Sequence, residues 1–136
     1  IIGREPIAVF HRGNLVRDFT YGGDIVEGVM RVVDRPATPD PAWSGDRPDP
    51  ATSYAPYRIF NIGNSTPVQL MRYIQAIESA LGIKAKMEML PMQPGDVPAT
   101  SADVRRLEEW VQFRPQTNVE DGIARFIGWY REYYKV

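Results

Sequence analysis

The chain contains no cysteine and a single histidine, His11. There is therefore no disulfide framework, no thiolate nucleophile and no zinc knuckle, and one imidazole cannot build a histidine-rich metal site. An excess of either charge is also missing. Sixteen basic residues face seventeen acidic ones for a formal charge of -1, and no segment gathers Lys or Arg on the scale of a phosphate backbone, so nucleic acid is not an expected partner. No apolar run reaches the roughly 20 residues that span a bilayer, and Ile1-Ile2-Gly3-Arg4-Glu5-Pro6 lacks the charged-then-apolar order of a signal peptide. No membrane partner is expected, and the composition suits the cytoplasm.

Several catalytic signatures are absent as well. Neither Gly-x-Gly-x-x-Gly nor Gly-x-x-Gly-x-x-Gly occurs, there is no Gly-Lys-Ser/Thr phosphate loop, and no tyrosine is followed four residues later by a lysine. The chain thus carries no recognisable catalytic, cofactor-binding or metal-binding set of its own. A Ser-His-Asp triad would have to run through His11, which stands in a turn beside Arg12 and Gly13 and reads as a solvated side chain. The carboxylate pairs Glu108-Glu109 and Glu120-Asp121 read as helix faces and caps. The first residue is isoleucine and not methionine, just before a strand-like run, and truncation from a longer chain is the expectation.

What is present suits one small folded domain over 1–136. Hydrophobic residues make up 43% and charged residues 24% of 136, ordinary values for a globular protein. Ile7-Ala8-Val9-Phe10 predicts a strand, closed by Gly13-Asn14. Val16 to Tyr21 predicts a second, in which alternation turns Arg17, Phe19 and Tyr21 to one side, with Arg17 towards a cavity. Ile25, Val29, Val32 and Val33 recur at helical spacing up to Asp34-Arg35-Pro36. Six prolines between Asp34 and Pro56 then predict a long loop, with Trp43 and Tyr54 docking it onto a surface.

Tyr57 to Ile62 predicts a third strand. The next helix is expected to start with Thr66 as N-cap, Pro67 at the first helical position and Gln69 as reciprocal cap. It would bury Leu70, Ile74, Ile77 and Leu81 and stop at Gly82. Lys84 to Leu90 alternates like a half-buried strand, and Pro91, Pro94, Gly95 and Pro98 make a rigid bend around Asp96. A short helix follows from about Asp103 to Trp110. The last helix should open on a capping box of Thr117 and Glu120 and bury Val119, Ile123, Phe126, Ile127 and Tyr130.

Taken in order, Pro6-Ile7-Ala8-Val9-Phe10, Arg17-Asp18-Phe19-Thr20-Tyr21, Phe60-Asn61-Ile62-Gly63 and Gln93-Pro94-Gly95-Asp96-Val97-Pro98 resemble the NAD-dependent epimerase/dehydratase family, the extended short-chain dehydrogenase/reductases. Asp40-Pro41-Ala42-Trp43, Pro48 to Thr52, Ala55 to Arg58 and Leu90 to Asp96 look like its UDP-glucuronate 4-epimerase branch, as does the ending Gly122 to Tyr130. Plain UDP-glucose epimerases usually carry an arginine where this chain has Gln93.

The resemblance implies an α/β fold, the α+β C-terminal substrate-binding lobe of such an enzyme, with short strands, about four helices and no Rossmann half. It implies that a separate N-terminal domain binds NAD and supplies the catalytic Ser/Thr, Tyr and Lys, and that this chain alone is inactive. By the same resemblance Arg17 grips the diphosphate, Asp96 accepts from the ribose hydroxyls, Gln93 lies near the phosphates, and Ile7, Ala8 and Phe10 line the uracil pocket of a UDP-sugar. The implied reaction interconverts UDP-glucuronate and UDP-galacturonate through a 4-keto intermediate. UDP-glucose epimerisation, nucleotide-sugar dehydration and a non-catalytic binding module are the alternatives. Relatives usually read Tyr-Ile/Val-Asp-Asp where this chain has Tyr21-Gly22-Gly23-Asp24. Apolar surface left bare by the separate domain makes self-association an expectation.

Overall fold

The computed structural model describes residues 1–136 as a mixed α/β chain with four helices and short strands. Strand β1 (Ile7–Val9) runs parallel to β4 (Met87–Met89), while β2 (Val16–Arg17) runs antiparallel to β3 (Val68–Gln69). Helices α1 (Gly22–Asp34), α2 (Leu70–Leu81), α3 (Arg105–Val111) and α4 (Val119–Tyr134) complete the set. No helix is long and apolar enough to cross a membrane.

The main core lies where α2 crosses α4. Ala76 and Leu81 of α2 meet Val119, Ile123 and Ile127 of α4, with Val68 of β3 beneath them. Val119, Ile123 and Ile127 recur every four positions, and Tyr73, Ile77 and Ala80 fill in the α2 side at three- and four-residue spacing, so each helix turns one apolar stripe inward. Phe19 stacks on Tyr73 with ring centroids 4.0 Å apart and extends that core towards β2. Gly82 ends α2 in the left-handed region at φ +68°, as its sequence position suggests. Glu78, only 5% exposed, ties down the next turn: its carboxylate accepts from Lys84 Nζ at 2.6 Å and from the Ala85 amide at 2.9 Å. The Lys84 ammonium and that amide hold the Glu78 carboxyl below its usual range.

Several local expectations are corrected. Residues 57–62 form no strand: apart from one bridge between Thr52 and Arg58 the run has no ladder partner, and Tyr57 and Ile59 are exposed. Helix α2 starts at Leu70 with Gln69 as N-cap and no side-chain cap bond, because Val68 and Gln69 are drawn into pairing with β2. Thr117 does not cap α4, since its hydroxyl donates to Asp24 Oδ1 at 2.9 Å, and Asn118 takes the role by accepting from the Asp121 amide at 2.8 Å. Phe126 is exposed rather than buried, and so are Met87 and Met89 of β4. On α1, Val26, Val29, Met30 and Val33 form an apolar stripe that faces solvent, and only Gly28 is buried.

The proline-rich loop is not docked by Trp43 and Tyr54, which pack on each other within it and leave Tyr54 exposed; its tie to α3 is Asp49. Trp43 packs on Tyr54 at 5.4 Å and donates to the Asp49 carbonyl, while Arg106 of α3 makes a two-pronged pair with Asp49. The Arg106 guanidinium keeps the Asp49 carboxyl below its usual range.

Candidate functional site

The segment 90–100 joins the two small sheets. At one end the Leu90 amide donates to the Val9 carbonyl at the end of β1. At the other, the Val16 amide donates to the Pro98 carbonyl, the Thr100 amide donates to the Val16 carbonyl, and Val16 bridges Ala99 in parallel. Prolines fix the backbone between these anchors, and the Asp96 amide closes a turn on the Gln93 carbonyl. Gly95 sits at φ +83°, where a side chain would be strained.

That bridge places Asp96 against Arg17 across 79 residues of sequence, with Arg17 Nη2 donating to Asp96 Oδ1 at 2.7 Å. Arg17 Nη1 donates to the Val16 carbonyl at 2.9 Å, and Asp96 Oδ1 also accepts from the Val97 amide at 2.8 Å. The side chains are 22% and 29% exposed, so both are oriented and both remain reachable. Arg17 keeps its Nε and further N–H groups for a ligand, and Asp96 keeps Oδ2. A guanidinium beside a carboxylate offers donors to phosphate oxygens and an acceptor to hydroxyls within a few ångströms.

Of the other expected site residues, Ile7 and Phe10 are half-buried and Ala8 and Gln93 are exposed. Ile7 and Ala8 lie on β1 and Phe10 opens the turn after it, linked to the Arg17–Asp96 pair through 90–100. The five main cavities have none of these six residues in their walls, so the pair lies on an open face. Arg17 also parts company with Phe19 and Tyr21. Pairing of β2 stops at Arg17 because the Asp18 carboxylate accepts from the Ser65 and Ala102 amides, both at 3.0 Å, and bends the chain away.

Phe19 and Tyr21 instead wall a cavity of about 410 Å³ together with Tyr73, Arg125, Phe126 and Trp129. The sequence does not reveal it because its walls come from the stretch after β2, the start of α1, α2 and α4, which are far apart in the chain. Asp24 is a second omission: it accepts from the Gln116 and Thr117 amides and the Thr117 hydroxyl, 93 residues away, and fastens α1 to the start of α4.

A dinucleotide does not fit the residues present. Gly22 and Gly23 open α1, but a Cβ on Gly23 would meet the Tyr21 ring at 2.6 Å, so the chain's own ring fills the space a pyrophosphate would need. Asp24 also sets a negative charge in the first turn of that helix. No cluster of three or more His, Cys, Asp or Glu could hold a metal ion.

No protein-family profile matches the chain. Individual proteins do. Protein CapI of Staphylococcus aureus is 49% identical over 135 residues, 99% of this chain and 40% of that protein. A probable UDP-glucuronate 4-epimerase of Rhizobium meliloti (strain 1021) is 39% identical over 132 residues, 96% of this chain and 39% of that protein. Among solved structures, the UDP-glucuronic acid 4-epimerase of Bacillus cereus in complex with UDP-glucuronic acid and NAD superposes with a TM-score of 0.74 at 21% identity, over 98% of this chain and 37% of that one. The fold is thus shared, and the chain spans about 40% of the length of these curated relatives.

Proposed function

We propose, from homology over nearly its whole length to proteins that include UDP-glucuronate 4-epimerases, that this chain is the nucleotide-sugar-holding portion of an NAD-dependent epimerase interconverting UDP-glucuronate and UDP-galacturonate. One observation carries this reading: residues 90–100 fasten Asp96 to Arg17 from the far side of the sequence and leave both side chains reachable. In this reading Arg17 donates to the diphosphate and Asp96 accepts from the ribose. Gln93 lies beside the phosphates, and Ile7, Ala8 and Phe10 receive the uracil.

Epimerisation at a sugar carbon requires the hexose to turn over while the substrate stays bound. Charge-assisted bonds to the nucleotide meet that need, because they leave the sugar itself loosely held. NAD would belong to the rest of the intact enzyme, since the residues here do not fit it. The solvent-facing stripe of α1 and the exposed side chains of Tyr57 and Ile59 suit a surface onto which such a cofactor-binding part packs, because they leave apolar area uncovered in this chain. The chain alone is accordingly inactive.

Calorimetric titration of UDP and of UDP-glucuronate tests the proposal. Weak saturable binding by the 136-residue chain, lost in Arg17→Ala, is expected. A chain that binds neither, or an Arg17→Ala variant that binds as tightly as the parent, would overturn it. Assaying the full-length protein with UDP-glucuronate against UDP-glucose then separates the two sugars.

A further inference from the structure

Helix α4 carries more aromatic surface than its core contacts use. Beside the buried stripe of Val119, Ile123 and Ile127 runs a second one, Phe126, Trp129 and Tyr133, again at three- and four-residue spacing. Trp129 is 52% and Tyr133 66% exposed. Their rings already lie against one another, Trp129 and Tyr133 stacked at 5.4 Å and Phe126 and Trp129 at 5.8 Å. The stripe is therefore a preformed apolar ridge, and it borders the cavity walled by Phe19, Tyr21 and Tyr73.

The charges along the ridge say what would cover it. Arg125 and Glu132, both exposed, stand two turns apart beside it, Arg125 with its guanidinium 5.4 Å from the centre of the Tyr21 ring at the cavity wall. Neither takes part in any salt bridge of the chain. They lie nearly symmetrically about Trp129, so a surface that presents the same two charges in reverse order matches this one. A second copy of α4 laid antiparallel does so: Arg125 of each copy then faces Glu132 of the other. Laid parallel, the two helices would oppose arginine to arginine and glutamate to glutamate.

We infer that the ridge is a self-complementary dimer surface, formed by two antiparallel α4 helices about a two-fold axis at Trp129. Such an isologous contact closes on itself at two copies. The same geometry carries Tyr133 of one copy to Arg125 and Phe126 of the other, at the mouth of the roughly 410 Å³ cavity, which has room for a phenol ring. Helix α4 is roughly 24 Å long at 1.5 Å per residue, so the contact is small and the dimer weak and reversible. This inference stands apart from the nucleotide-sugar reading and shares none of its residues.

Charge reversal tests it. Sedimentation equilibrium of the 136-residue chain, from low micromolar to near-millimolar concentration, should show a monomer–dimer equilibrium. R125E puts glutamates opposite Glu132, and E132R puts arginines opposite Arg125, so each should weaken the dimer roughly tenfold or more. Mixing the two variants restores both attractive contacts and should yield a heterodimer at a concentration where neither variant pairs with itself. The double variant R125E/E132R should dimerise like the parent, and it answers the question alone if one single variant loses its helical circular dichroism. A chain monomeric throughout, association that continues past two copies, or dimers indifferent to the reversals and to their mixing would each overturn the inference.

Discussion

The α2–α4 pair and the Arg17–Asp96 face stay in place by different physics. In the helix pair, Ala76, Leu81, Val119, Ile123 and Ile127 are buried against each other, and position follows from apolar burial. Arg17 shares β2–β3 pairing with the buried Val68, but the segment that brings Asp96 to it buries little. Asp96 is placed by two backbone hydrogen bonds, Val16 amide to Pro98 carbonyl and Thr100 amide to Val16 carbonyl, by prolines on either side, and by the Val97 amide on its carboxylate. One region can lose a functional side chain and stay folded, whereas the other cannot lose a methyl group cheaply. Binding and stability should therefore be separable by single substitutions.

The largest effect expected is on the apolar side. Ile123→Ala removes a 6%-exposed side chain from the α2–α4 contact and should cost about 3 kcal/mol, read as a lower urea midpoint with unchanged slope. The molecules that remain folded should still bind UDP. If affinity fell along with stability, the two regions would be coupled and the comparison would break.

Next in size is Arg17→Ala. Loss of a charge-assisted grip on phosphate should cost about 2 kcal/mol of binding, roughly thirtyfold in Kd for UDP, with the urea midpoint nearly fixed. Stability should hold because the Arg17–Asp96 pair is partly solvated, and such pairs add little to folding. A variant that unfolds instead would make the pair a structural strut.

A smaller effect belongs to the end of α2. At Gly82 the backbone has φ +68° and a Cβ would touch nothing within 4 Å, so Gly82→Ala meets only the conformational cost of a left-handed residue, about 1 kcal/mol. This variant sharpens the comparison by moving stability without touching either the apolar contact or the charged face.

How far the sequence reveals these regions follows the same division. Helices α1, α2 and α4 and the stop at Gly82 are legible because periodicity and a glycine act within a few residues. The caps at Thr66 and Thr117 are misread because distant groups intervene, β2 at one and Asp24 at the other. The run 57–62 has the residues of a strand, but a strand also needs a neighbour, and this chain provides only the bridge at Arg58. Arg17 and Asp96 come forward as ligand-binding residues through resemblance alone. Nothing local in either segment says that the two touch, since their contact depends on a bridge built by prolines and backbone amides.

The smallest effect at neutral pH, and the most informative about linkage, is that of Glu78→Gln. Lys84 is 86% exposed, so the ion pair is largely solvated, and glutamine can still accept from the Ala85 amide. In the folded chain the Glu78 carboxyl titrates below its ordinary value of 4.5. A carboxyl depressed on folding binds fewer protons in the native state. Its contribution is therefore complete above about pH 4.5 and is lost as pH falls through the lower folded-state value. Urea titrations from pH 7 downward should show parent and Glu78→Gln running parallel above pH 4.5 and converging below it. A difference that stays constant to the acid limit would mean that packing, and not charge, is what Glu78 contributes to the turn after α2.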